Sequence, residues 1–166
     1  EDIIMPMTDL NNINKSIIYR INTENDKDYF LLENRQKIYF DSALPGEGLI
    51  IYHIHPEIDR YTATNTINST HPQCFYPVCA SDSAPSTKNY GNINSSSWPF
   101  PGSKNKETFS PLSTPTMIAW DGSNPNLSLY NIAINTSDNS VSFSTRKESN
   151  TTTDRPNLPI DKNIIY

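Results

Sequence analysis

Thirteen prolines punctuate the 166 residues, and they limit the fold more than any other feature. Each removes a backbone donor and collides with the preceding turn of a helix, so a bundle of long helices has almost no room here. The polar residues point the same way. The chain holds 20 Asn, 19 Ser and 15 Thr, which suit turns and solvent-facing strand positions better than helix interiors. Charged residues make up only 19% and hydrophobic residues 35%, so polarity here is mainly neutral. A chain of this length makes one ordinary domain.

Several segments read as strands. Ile17-Ile18-Tyr19-Arg20-Ile21 is β-branched and aromatic, and Tyr29-Phe30-Leu31-Leu32-Glu33-Asn34 follows after a polar turn. The two predict a hairpin. Leu49-Ile50-Ile51-Tyr52-His53-Ile54 follows the turn Leu44-Pro45-Gly46-Glu47-Gly48 and is apolar on both faces, as in a central strand covered twice. Residues 59–111 show little periodicity and read as a long irregular middle. Order returns with Thr116-Met117-Ile118-Ala119-Trp120, which reads as a strand ending at Trp120. Alternating segments at 127–134 and 141–144 follow. The expected fold is all-β, a β-sandwich of short antiparallel strands. Residues 1–15 read as a lead-in, 16–146 as the sandwich and 147–166 as a polar tail, in which Ile164-Ile165-Tyr166 is a candidate edge strand.

The net charge of −5 argues against a nucleic-acid partner, and no apolar run is long enough to span a membrane. No charged and apolar leader opens the chain. It begins at Glu1, which reads as a processed or excised piece of something longer. Cys74 and Cys79, with four residues between them in a loop with little other order, are expected to form a disulfide, with two reduced thiols as the alternative. Asn-x-Ser/Thr triplets at Asn14, Asn68, Asn94, Asn126, Asn135 and Asn150 match the Asn-rich composition, and no glycosylation is read from them.

The chain lacks the His-Glu-x-x-His zinc motif, the Gly-x-Ser-x-Gly elbow and a phosphate-binding glycine loop. Of its three histidines, His53, His55 and His71, the first two lie two apart on a predicted strand and share a face. That spacing suits a shared metal, but no third ligand is marked nearby. His53 is therefore expected to be structural, bonded to a backbone carbonyl. Asp82, Asp121 and Asp138 sit in turns. They read as turn stabilisers, with calcium as the unsupported alternative. Trp98, Trp120, Tyr61 and Tyr90 raise carbohydrate stacking, although Trp120 fits a core position better.

Particular strings carry more than composition does. Asp28-Tyr29-Phe30-Leu31-Leu32-Glu33-Asn34-Arg35-Gln36 precedes Leu44-Pro45-Gly46-Glu47-Gly48-Leu49-Ile50-Ile51-Tyr52-His53. Then come His71-Pro72, Trp98-Pro99-Phe100-Pro101-Gly102 and residues 109–115. In this order the set resembles the region after the catalytic core in the immune inhibitor A family of secreted zinc metallopeptidases, over residues 17–145. The positions that match are Glu33, Asn34, Arg35, Gln36, Pro45, Gly46, Gly48, His53, Phe100, Pro101 and Gly102.

The resemblance implies a non-catalytic β-domain of a secreted or cell-surface peptidase. Such a domain supports or borders the catalytic domain of the same polypeptide, and protein substrate is a further possible partner. Zinc and the general-base glutamate of that family belong to a helix nearer the N-terminus, so no catalytic residue and no cofactor carry over. Two positions depart from the pattern. His55 and Trp98 stand where family members often have acids, which puts any calcium or domain contact there in doubt. The alternative is a free-standing adhesion or carbohydrate-binding module of a bacterial surface protein. Glu33 and Arg35, at the point where the strand turns polar, are expected to be partly buried and to bond loop backbone.

Overall fold

A computed structural model describes residues 1–8, 17–25, 27–55, 64–69, 72–81 and 92–147. Of the expected polar tail, residues 147–166, Lys147 instead ends a strand, and the rest, with its candidate edge strand, lies outside the described residues, as do His71, Asp82, Tyr61 and Tyr90.

Alternation along one strand organises the larger sheet. In β3 (Tyr29–Arg35) every second residue is buried, which turns Phe30, Leu32 and Asn34 inward. β2 (Ile18–Asn22) pairs with it antiparallel, Ile18 opposite Glu33 and Asn22 opposite Tyr29. The connecting turn is tied by Asn25, whose Oδ1 accepts from the Lys27 amide at 2.8 Å and from Thr23 Oγ1 at 2.7 Å. β4 (Gly48–Ile54) pairs on the other side of β3, Arg35 opposite Gly48 and Tyr29 opposite Ile54. All but Tyr52 in β4 are buried, as a central strand covered on both faces requires. β5 (Phe75–Pro77) completes the order β2-β3-β4-β5.

The second antiparallel sheet has the order β1-β7-β6, from β1 (Asp2–Met5), β6 (Leu127–Asn135) and β7 (Ser140–Lys147). A bulge interrupts the β6–β7 register between Tyr130 and Ala133, where Asn131 holds a φ of 54°. The fold of the described residues is all-β. Its inward side chains form a single core, with Phe30, Leu32, Leu49, Ile51 and Tyr76 from one sheet and Met5, Leu129, Ile132, Val141 and Phe143 from the other. Phe100 and Phe109 come from the long connection after β5. Phe109 meets Phe30 at 5.6 Å and Phe100 at 5.3 Å between ring centres. Each fully buried Phe contributes about 1.5–3 kcal/mol.

Three expectations need correction. Residues 2–5 are not a lead-in but strand β1, which pairs with residues 141–144 of β7. The irregular middle contains β5. Residues 116–119 form no strand, although Met117 and Ala119 are buried there. Pro115, in a cis bond with Thr114, removes a donor at the start of that segment.

The two sheets are locked at both ends. Asn34 Nδ2, at one end of β3, donates to the carbonyls of Met5 at 3.0 Å and Asn139 at 2.9 Å. At the other end the Asn126 amide donates to the Asn22 carbonyl at 2.8 Å, and Thr23 bridges to Pro125. Glu1 and Lys147 belong to that second end. The Glu1 ammonium donates to Thr145, and Lys147 lies opposite Leu127. The β3–β4 connection, residues 36–47, therefore sits at the end away from Glu1 and Lys147.

Candidate functional site

Two strings about fifty residues apart in sequence meet at that far end. Leu49 and Phe100 exchange backbone hydrogen bonds in both directions, at 2.8 and 2.9 Å, and this bridge docks residues 99–102 on the turn before β4. Glycines make the approach possible. A Cβ on Gly46 would stand 2.9 Å from Pro99 Cδ and 3.0 Å from Ser96 Cα. Gly48 has a φ of +131°, and a Cβ there would lie 2.3 Å from the Phe100 carbonyl oxygen. Gly102, at φ +59°, faces Pro99 O in the same way. The matched positions Pro45, Gly46, Gly48, Phe100, Pro101 and Gly102 thus form one structural unit.

An open cleft of about 330 Å³ lies between these strings, with Pro45 and Gly46 on one and Pro101 and Gly102 on the other. Ile134 of β6 adds apolar surface, and Lys37 and Glu47 add opposite charges. Ser96 and Ser103 also line it, Ser96 Oγ donating to Ser103 Oγ at 3.3 Å. Among the described residues no histidine or cysteine lines the cleft.

Beside the cleft the chain makes a 3-10 turn, Tyr39–Ala43, that presents two aromatics to water. Phe40 is 90% exposed and Tyr39 66%. Tyr39 holds a φ of 51°, which costs an L-residue about 1–2 kcal/mol. The turn is held from its neighbours: the Lys37 amide donates to Glu47 Oε2 at 3.1 Å, and Arg35 reaches Asp41 at 2.6 Å.

Glu33 and Arg35 are partly buried as expected, but they bond side chains and not loop backbone. Arg35 joins Asp41 at 2.6 Å and Glu33 at 3.4 Å. Burial works against the Arg35 cation, but the two carboxylates outweigh it and raise its pKa. Its buried Nε has no hydrogen-bond partner. Glu33 also hydrogen-bonds the Tyr52 hydroxyl, whose pKa is raised first by burial and then by the Glu33 charge. The backbone contacts fall instead to Asn34, which locks the sheets, while Gln36 Nε2 supports the Asn34 amide oxygen at 2.7 Å. Arg35→Ala leaves two half-buried carboxylates without their shared cation. With the Arg35 side chain 27% exposed, solvent screens part of the loss. The expected cost is about 1–2 kcal/mol in urea melts, against less than about 0.5 kcal/mol for a solvated strand end.

His53 lies at the other end of β4, where its Nε2 pairs with a carboxylate. Nε2 stands 2.9 Å from Asp28 Oδ2, with both side chains 3% exposed. The same carboxylate oxygen accepts from the Trp120 amide at 2.8 Å. The His53 ring stacks on Trp120 at 4.5 Å and meets Phe30 at 4.5 Å on an inclined plane. His55, just past β4, stands 3.9 Å from Asp28 Oδ1. No group of three His, Cys, Asp or Glu among the described residues could hold a metal ion.

The remaining candidates have local roles. Cys74 and Cys79 are buried and not joined by a disulfide, which corrects the expected bridge. β5 runs extended between them, and five extended steps of roughly 3.3 Å exceed the ~7 Å reach of a bridge. Asp121 accepts from the Ser123 amide and Asn25, and Asp138 accepts from the Ser140 amide, so both stabilise turns. Trp120 packs in the core, with Nε1 donating to the Gln73 carbonyl at 3.1 Å, and Trp98 is half-buried. Neither forms an exposed stacking platform. Asp28, Asp41, Tyr39 and Phe40 escaped sequence reasoning. The only signal for the last two is an apolar pair between a strand end and a Pro-Gly turn.

Comparison with family models, with curated proteins and with solved structures gave no match.

Proposed function

We propose that this chain is the non-catalytic β-domain of a secreted zinc metallopeptidase of the immune inhibitor A type, supporting or bordering the catalytic domain of the same polypeptide. The observation that carries the reading is the meeting of residues 45–48 with residues 99–102. Strings that resemble that family in sequence order also share one backbone unit, in which Gly46 and Gly48 face atoms of the partner string. In this reading zinc belongs to the catalytic domain, as the resemblance implies. With no His-Glu-x-x-His motif in its sequence, the chain itself contributes surface and not bond cleavage.

The test is the coding sequence upstream of Glu1, joined to an assay of the purified chain. A His-Glu-x-x-His helix upstream and an inert chain are expected. A signal peptide placed directly before Glu1 overturns the reading in favour of a free-standing binding module. Zinc-dependent cleavage of casein by the purified chain overturns it as well.

A further inference from the structure

A protruding aromatic turn and a cleft occupy the same end of this domain. The turn carries Phe40 and Tyr39 outward, with its conformation set by the Arg35–Asp41 ion pair and not by contact of the rings with the core. The cleft, a few residues along the same connection, offers apolar surface from Pro45, Pro101 and Ile134. A knob and a hole on one surface are what a two-fold interface needs, because rotation makes each contact occur twice. The charges are self-complementary too, since Lys37 and Glu47 both line the cleft. Glu1 and Lys147 leave from the opposite end, so flanking chain at those points does not start in the path of an end-on approach.

We infer that this end is a homodimer surface, in which the Tyr39–Phe40 turn of one copy seats in the cleft of the other and each Lys37 faces the partner's Glu47. A second copy is favoured over an unlike protein because both halves of the fit are present on this chain. The inference does not depend on the proposed peptidase. Exposed aromatic anchors beside a pocket are the residues that dominate interface energies.

The test is sedimentation equilibrium of the 166-residue chain over a range of concentrations. A monomer–dimer equilibrium is expected, and Phe40→Asp should weaken it at least about tenfold with an unchanged circular dichroism spectrum. Lys37→Glu, which keeps the backbone amide that Glu47 accepts from, should weaken it as well. A monomeric mass at every concentration up to about 1 mM overturns the proposal and leaves the surface to an unlike partner. A dimer that persists unchanged in Phe40→Asp and in Lys37→Glu overturns it too.

Discussion

Gly48→Ala should cost more than about 4 kcal/mol or leave no folded chain. Two penalties coincide at this residue. Its φ of +131° lies where side chains are strained, by about 1–3 kcal/mol on backbone grounds alone. The added Cβ would also stand 2.3 Å from the Phe100 carbonyl oxygen, which is backbone and cannot swing aside. To relieve the clash, the paired Leu49–Phe100 hydrogen bonds must separate. Phe100 is fully buried against Phe109, so the separation reaches the core. Gly122→Ala is the matched control. Gly122 also has a positive φ, of 89°, but nothing stands within 4 Å of its missing Cβ. Its cost should stay near the backbone strain alone, about 1–3 kcal/mol. Urea melts of the two variants decide the matter. Equal losses would show that the docking of residues 99–102 contributes nothing.

Asp28→Ala is expected to destabilise by about 3–5 kcal/mol, the usual result of removing one partner of a buried ionisable pair. The carboxylate is nearly inaccessible and serves His53 and the Trp120 amide at once. Its backbone carbonyl meanwhile accepts from Thr23 Oγ1 at 2.6 Å, so the residue also fixes the β2–β3 turn. Asp28→Asn keeps an acceptor for the Trp120 amide and should lose less, about 1–2 kcal/mol. Trp120 stacks on the His53 ring, so its fluorescence reports the same event. An Asp28→Ala protein that melts with the parent and keeps its emission spectrum would show the pair to be dispensable.

Five of the seven strands among the described residues were legible, because alternation and β-branching act within a single segment. The two that escaped are the shortest. β1 has four residues and ends just before Pro6. β5 has three, ends in Pro77 and lies between the cysteines, where a braced loop was expected. Their pairing is decided by neighbours, β7 and β4, that lie far away in sequence. The reverse error occurred at residues 116–119, whose apolar character reflects burial of Met117 and Ala119 and not a ladder. The site shows the same division. Gly46, Gly48 and Gly102 stood out as residue types, but what they avoid, Ser96, Pro99 and Phe100, appears only in space. His53 was legible as structural. Asp28 is 25 positions away, and no local pattern marks it as the partner.

The antiparallel pairing of β1 with β7 has a mechanical consequence. Glu1 and Lys147 enter and leave side by side, so tension between the flanks would pull these two strands apart from one end. Their ladder would open like a zipper, one pair at a time, instead of resisting in shear as a whole. β1 has only four residues and Ile4 is largely exposed, so little core surface resists the first steps. The release of β1 would bare an edge of β7 while the four-stranded sheet still carried no load. Under force applied at Glu1 and Lys147, the domain would yield first at β1.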